Sequence, residues 1–326
     1  MTQAKLIFLA SILLAMPAWA EVPAAQSKAP RPGVDAANPP GVRGEAKKIK
    51  TLLIDKAGVY ENYLVDAEWA EADAVRIKAD GVTLRNCEIR NGKRDAIEVY
   101  AADVVIENCK IHHFLAGSFK QQKDAHGITG RPTRLTIRNC EIGYVSGDCL
   151  QFDPGRGKWG EVVVENCRLF AGPLPEDAGE FKKGESPGEN AVDTKQVAAN
   201  PRSKMTIRNC VIEGFAAGGQ INNRAGLNLK NNVQVIVENC SLINNEIGMR
   251  LRGVGKSKDL GVALVSASDC VFEDCATAIR TEDGIENLQI IRPAFGEGVK
   301  QKFKYVGGVP KGFKVVEEKS APARVP

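Results

Sequence analysis

Six octets of one pattern recur along the chain: VTLRNCEI at 82–89, VVIENCKI at 104–111, LTIRNCEI at 135–142, VVVENCRL at 162–169, MTIRNCVI at 205–212 and VIVENCSL at 235–242. A degenerate seventh, VSASDCVF, stands at 265–272. Apolar and polar residues alternate up to the asparagine, the pattern of a strand with one buried face. An Asn-Cys pair then breaks the alternation. Asparagine tolerates bridge and left-handed backbone angles that β-branched residues resist, so Asn86, Asn108, Asn139, Asn166, Asn209 and Asn239 each turn a corner at the same place. Stacked corners imply stacked coils. Successive repeat cysteines are 22, 31, 27, 43, 30 and 30 residues apart. The shortest spacing is near the minimum for one turn of a three-sided coil, and the excess elsewhere goes into loops.

This pattern resembles the right-handed parallel β-helix of the pectin lyase-like superfamily, over about Thr51 to Pro293. The resemblance implies an all-β fold with a single elongated solenoid domain at 51–293. It implies no particular activity, because that fold carries lyases, hydrolases, epimerases and non-catalytic adhesins. Within the superfamily the chain is similar to exported β-helix-repeat proteins with KDAHGI, SGDCLQFD and GENAVDTK blocks, which assign no reaction.

The first twenty residues, MTQAKLIFLASILLAMPAWA, carry one lysine, an apolar run from Leu6 to Met16 and a small-x-small ending. They read as a signal peptide at 1–20 cleaved after Ala20, so the protein is expected to be periplasmic or secreted. No later run approaches the ~20 apolar residues of a membrane span. Loss of Lys5 takes the formal net charge from +4 to +3. Basic residues interleaved with aromatics are missing, which argues against nucleic acid. Residues 21–50 are rich in Ala, Pro and charge and read as a flexible leader. Residues 294–326 read as a C-terminal cap segment and tail, with KFKYVGGVPKGFKVVE folding over the open end of the coil.

Seven of the nine cysteines fall on the repeat position, where a small polarisable group points inward and stacks on its copy in the next coil. A disulfide is chemically open to an exported chain. No zinc-type Cys/His spacing occurs.

A further strand follows each corner, with Ile97, Ile128, Leu150, Val192, Leu227, Met249 and Ile279 as inward residues. Period-2 geometry then sets two columns facing outward. One reads Glu98, Thr129, Gln151, Asp193, Asn228, Arg250, Arg280; the other reads Tyr100, Arg131, Asp153, Lys195, Lys230, Arg252, Glu282. An alternative register puts GGQINNR in place of AGLNLK, with Asn222 and Arg224 in line. The insertions Leu115 to Lys123 and Ala171 to Gly188 leave the coil just before this face and are expected to wall a cleft.

Acids and bases on this face suit an acidic polysaccharide or oligosaccharide as partner. In β-elimination the uronate carboxylate is neutralised by Ca²⁺ or by Arg and Lys, and a base removes the C5 proton. Lys195, Asp193, His126 and Asp153 are the candidate catalytic residues, with Lys195 as base. Asp153 and Asp193 are candidate calcium ligands, calcium being the one cofactor considered. Arg250, Arg252, Lys230, Gln151, Asp148 and Arg131 are candidate substrate ligands. The two arginines stand as like charges without an equal number of acids opposite, an arrangement an anion would relieve. His126 equally fits a half-buried partner of a turn. A glycoside hydrolase would instead use Asp153 with Asp193 or Asp148 as its carboxyl pair. The superfamily's hydrolases carry a paired Asp-Asp motif with Asn-x-Asp and Arg-x-Lys signatures, which SGDC, DAHG and VDTK only echo. A non-catalytic glycan-binding or envelope protein is the third reading, and a ladder of opposite charges worth ~0.2–1 kcal/mol per pair would need no function at all.

Overall fold

The computed structural model describes residues 33–153, 155, 157–254 and 261–320. The signal peptide at 1–20, the leader at 21–32 and the tail at 321–326 lie outside the described residues. Three parallel sheets wind around one core, and no α-helix occurs among the described residues. No helix there is long and apolar enough to cross a membrane. Sheet 1 has ten strands, from Gly58–Glu61 to Lys314–Val316; sheet 2 has eleven, from Lys47–Ile49 to Lys319–Ser320; sheet 3 has ten, from Leu52–Ile54 to Gln301–Tyr305. Each coil contributes one strand to each sheet, so the chain is a parallel β-helix.

The octets straddle a corner. Val82–Arg85 lies in sheet 1, while Glu88–Gly92, which opens with the last two octet residues, lies in sheet 2. The strand expected next after the corner is therefore the third of its coil, and Ile97–Val99 and its copies form sheet 3. All six octet asparagines are left-handed, with φ between 49° and 54° for Asn86, Asn108, Asn139, Asn166 and Asn239 and 55° for Asn209; Asp269 of the degenerate copy has φ 53°. A β-branched residue there would cost ~1–2 kcal/mol.

The following cysteine closes the corner. Its thiol donates to the carbonyl two residues back, at 3.1 Å from Cys87 to Arg85 and 3.2 Å from Cys140 to Arg138. The Cys109, Cys167, Cys210, Cys240 and Cys270 thiols do the same. All nine cysteines are free and buried. Burial pushes the thiols from Cys109 to Cys270 well up, which keeps them protonated and unreactive.

Residues 33–50 are not a flexible leader. Gly33 N donates to Asn209 O at 2.8 Å, Asp35 N to Asn139 Oδ1 at 2.7 Å, Gly41 N to Asn108 O at 2.9 Å and Arg43 N to Asn62 Oδ1 at 3.2 Å. The segment is thus a strap laid across the stacked asparagine corners, held by backbone donors, and it leads into the first strand, Lys47–Ile49. Nor do residues 294–320 fold over the end. Ala294–Phe295, Gln301–Tyr305, Lys314–Val316 and Lys319–Ser320 pair in parallel with the preceding coil and continue the helix.

Charge on sheet 1 is structural. Glu61, Arg85, Glu107, Arg138, Glu165 and Arg208 alternate in register, with Arg85 Nε 2.7 Å from Glu61, Arg138 Nε 2.6 Å from Glu107 and Arg208 Nε 2.8 Å from Glu165. Such exposed pairs contribute little each. The outer face of sheet 3 does not alternate in this way, and both insertions lie beside it.

Candidate active site

The register of sheet 3 aligns Glu98, Thr129, Gln151, Asp193, Asn228, Arg250 and Arg280 in one column. Ala225–Leu229 is the strand of its coil, so the AGLNLK register holds and the GGQINNR alternative does not. Phe152 points inward, fully buried against Trp159 with ring centroids 5.5 Å apart. Trp159 Nε1 donates to Lys195 O at 3.1 Å, which fixes the end of the strand that carries Asp193 and Lys195.

Four of the expected residues form one cluster. Lys195 Nζ lies 3.6 Å from Asp153 Oδ2 and 3.5 Å from Asp193 Oδ2, and Lys230 Nζ lies 2.7 Å from Asp193 Oδ1. Asp193 is 4% exposed. Burial alone would lower the Lys195 ammonium, but Asp193 and then Asp153 outweigh it and hold it above the usual lysine range.

His126, Asp148 and Gln151 form the adjoining group. Asp148 is fully buried; its Oδ1 accepts from Asn190 N at 2.9 Å and Asn190 Nδ2 at 2.8 Å, and its Oδ2 accepts from Gln151 Nε2 at 3.3 Å. Burial, with the charges of Asp193 and Glu189, pushes this carboxyl well above the carboxylate range. Asp148 N donates to His126 Nδ1 at 2.9 Å, and His126 N donates to Asp95 Oδ1 at 2.9 Å. A neutral His126 therefore carries its hydrogen on Nε2. His126 is both the turn partner that its position suggested and a lining residue of the cleft.

The cleft has a volume of about 660 Å³. Its floor includes His126, Gln151 and Asp153, and its sides come from both insertions. Residues 115–123 supply an antiparallel hairpin, Ala116–Ser118 with Gln121–Lys123, and residues 171–188 supply Glu180. The second insertion rests on its own apolar cluster, in which Leu174, Ala178 and Phe181 pack with Leu115, Trp69, Phe119 and Tyr144. It is tied down by Arg224, 1% exposed, whose Nη2 donates to Pro187 O at 2.8 Å and Nη1 to Ala216 O at 3.2 Å and Ser186 Oγ at 3.4 Å.

The premise for an anion at Arg250 and Arg252 fails, because the acids are present. Arg250 is bidentate to Glu282, at 2.7 and 3.1 Å, and Arg252 Nε is 2.8 Å from Asp283 Oδ2. Arg280 Nε lies 2.8 Å from Glu282. Arg131 stands over the Tyr100 ring at 5.4 Å. Among residues not singled out from sequence, Glu189 has its carboxyl raised by burial, Asp124 and Asp193. Asp73, Asp95 and Glu98 bring carboxylate oxygens within 4.8 Å of one another. Arg76 reaches into that trio, 2.6 Å from Asp73 Oδ2 and 3.0 Å from Glu98 Oε2.

Neither acid group fits calcium, which takes six to eight oxygens at ~2.3–2.6 Å. Between Asp153 and Asp193, the pair expected to hold it, stands the Lys195 ammonium. In the trio the Arg76 guanidinium stands among the oxygens.

Three stacked parallel sheets with a polar cleft over the third define a right-handed parallel β-helix. The family model described as "Right handed beta helix region" matches residues 73–172 and 126–297, and the chain belongs to that family. Pectate lyase Pel9A shares the fold with a TM-score of 0.52 at 13% identity, over 87% of this chain and 72% of that one. An alginate lyase from Paenibacillus sp. strain FPU-7 gives a TM-score of 0.49 at 10% identity, over 83% and 86% of the two chains. The A-module of an Azotobacter vinelandii mannuronan C-5 epimerase gives 0.49 at 13%, over 85% and 81%. The search of curated proteins finds no match.

Proposed function

We propose that the protein is an exported, carbohydrate-active β-helix protein that cleaves an acidic, uronate-containing glycan by β-elimination. The observation that carries this reading is the Lys195–Asp153–Asp193–Lys230 cluster, set beside a cleft walled by two insertions. That a pectate lyase shares the fold is compatible with it.

Elimination breaks the C5–H and C4–O bonds and leaves a C4–C5 double bond. The sugar carboxylate must be neutralised so that the C5 proton becomes acidic. Lys230, whose ammonium is bonded to Asp193, has further hydrogens with which to bind that carboxylate. Lys195, in its unprotonated form, takes the C5 proton. His126, a lining residue of the cleft, helps to orient the departing glycosidic oxygen, which takes its proton from water. Gln151 and Arg131 orient the sugar, and Arg250 and Arg252, already paired with acids, extend the basic strip with a smaller share of the binding. Hydrolysis is the weaker reading, because the carboxyl best protonated for an acid role, Asp148, is sealed from the cleft with both oxygens bonded.

The pH profile tests this. Lys195 is held protonated above the ordinary lysine value of 10.5, so its base form is scarce at neutral pH and grows as pH rises. Cleavage, read as kcat/KM, is expected to climb about tenfold per pH unit between about pH 7 and 9. A flat profile across that range contradicts Lys195 as base.

A further inference from the structure

Two groups of acids beside sheet 3 each already hold a cation belonging to the chain. In the first, Asp153 and Asp193 face Lys195 and Lys230, two carboxylates against two ammonium groups, with Lys195 Nζ at 3.6 and 3.5 Å from the two acids. Lys230 Nζ is 2.7 Å from Asp193 and its side chain is only 12% exposed. In the second, Arg76 bridges Asp73 and Glu98, and Arg94 Nε lies 3.5 Å from Asp73 Oδ1.

We infer that Lys195 and Arg76 are intrinsic cations, standing where a divalent ion would otherwise be captured, so that the chain needs and takes up no calcium. A dication entering the first group would have to displace an ammonium from a cluster whose charges already balance. It would also have to sit beside Lys230, which stays on Asp193. Where tethered cations stand within ion-pair distance of the carboxylates, a calcium ion would have to compete with them for the oxygens it needs. A side chain, unlike an ion, is not lost by dilution. This inference shares its residues with the proposed elimination, but its test reads binding and not turnover. An active lyase that binds calcium would overturn it alone, and an inactive chain that binds none would overturn only the elimination.

The test is calorimetric titration of the chain with calcium chloride at neutral pH, with thermal unfolding followed in calcium and in EDTA. The unmodified chain is expected to give no saturable heat and the same unfolding midpoint in both. Lys195→Ser combined with Lys230→Ser removes both ammonium groups from Asp153 and Asp193, and with an unchanged circular-dichroism spectrum the double variant is expected to gain saturable calcium binding and a calcium-dependent rise in midpoint. Saturable binding by the unmodified chain overturns the inference. A folded double variant that takes up no calcium overturns it too. The unmodified chain decides the matter alone if the variant does not fold.

Discussion

Lys195→Ala is expected to lower turnover of a uronate glycan by roughly 10²- to 10⁴-fold, the usual range for a positioned general base, while binding falls far less. The strand remains anchored in the variant, since Trp159 bonds the Lys195 carbonyl and not its side chain. Asp193 keeps Lys230 at 2.7 Å, so the buried carboxylate is not orphaned. Lys195→Arg separates the two roles a lysine could have here. A guanidinium preserves the charge between Asp153 and Asp193 but stays protonated at any working pH. It is therefore expected to be as inactive as the alanine variant and to bind like the unmodified chain. Activity retained in Lys195→Arg but lost in Lys195→Ala would make Lys195 an electrostatic group and move the base elsewhere.

Arg224→Ala is expected to destabilise the protein by about 3–5 kcal/mol, the range reached when a buried network loses its centre. Arg224 has no carboxylate on its guanidinium; its donors go to the Pro187 and Ala216 carbonyls and to Ser186, and its ring neighbour is Phe215 at 5.9 Å. Burial lowers its pKa to about 10, with Glu246 opposing, so the group remains charged at neutral pH. Truncation leaves the buried Pro187 carbonyl and the partly buried Ala216 carbonyl without these donors, and a void the size of the side chain. Pro187 lies three residues before the strand Asn190–Thr194 that bears Asp193, so cleavage should fall along with stability. Denaturant unfolding measures the first effect, and a loss below ~1 kcal/mol would show that the carbonyls find water or that the loop relaxes around the gap.

The coil, its corners and the sheet 3 column were legible because three independent periods agree: alternation within a strand, asparagine at each corner and recurrence from coil to coil. The sheet 2 strands were hidden because several have only three residues, such as Arg168–Phe170, and begin inside the octet. The strap at Gly33 to Arg43 was read as loose because it has few large apolar side chains; its attachment runs through backbone donors and asparagine corners, which composition does not report. Arg250 looked unpaired because Glu282 was counted in the neighbouring column, whereas long side chains pair across columns. The trio of Asp73, Asp95 and Glu98 was missed since Asp73 lies in a coil without the octet. At the candidate site, the pairing of Lys195 with both aspartates followed from strand register alone, but the sealing of Asp148 depended on Asn190 of the next coil and on the side-chain direction of Gln151 in its own.

The measurement that bears most directly on the central claim is incubation of the protein with a panel of uronate and neutral glycans, following ultraviolet absorbance of unsaturated ends and total reducing ends together. The account predicts that both signals rise in step on a uronate glycan and neither rises on a neutral one. Reducing ends without ultraviolet absorbance would show hydrolysis, and silence in both with retained glycan binding would show a binding protein; either result contradicts elimination at Lys195.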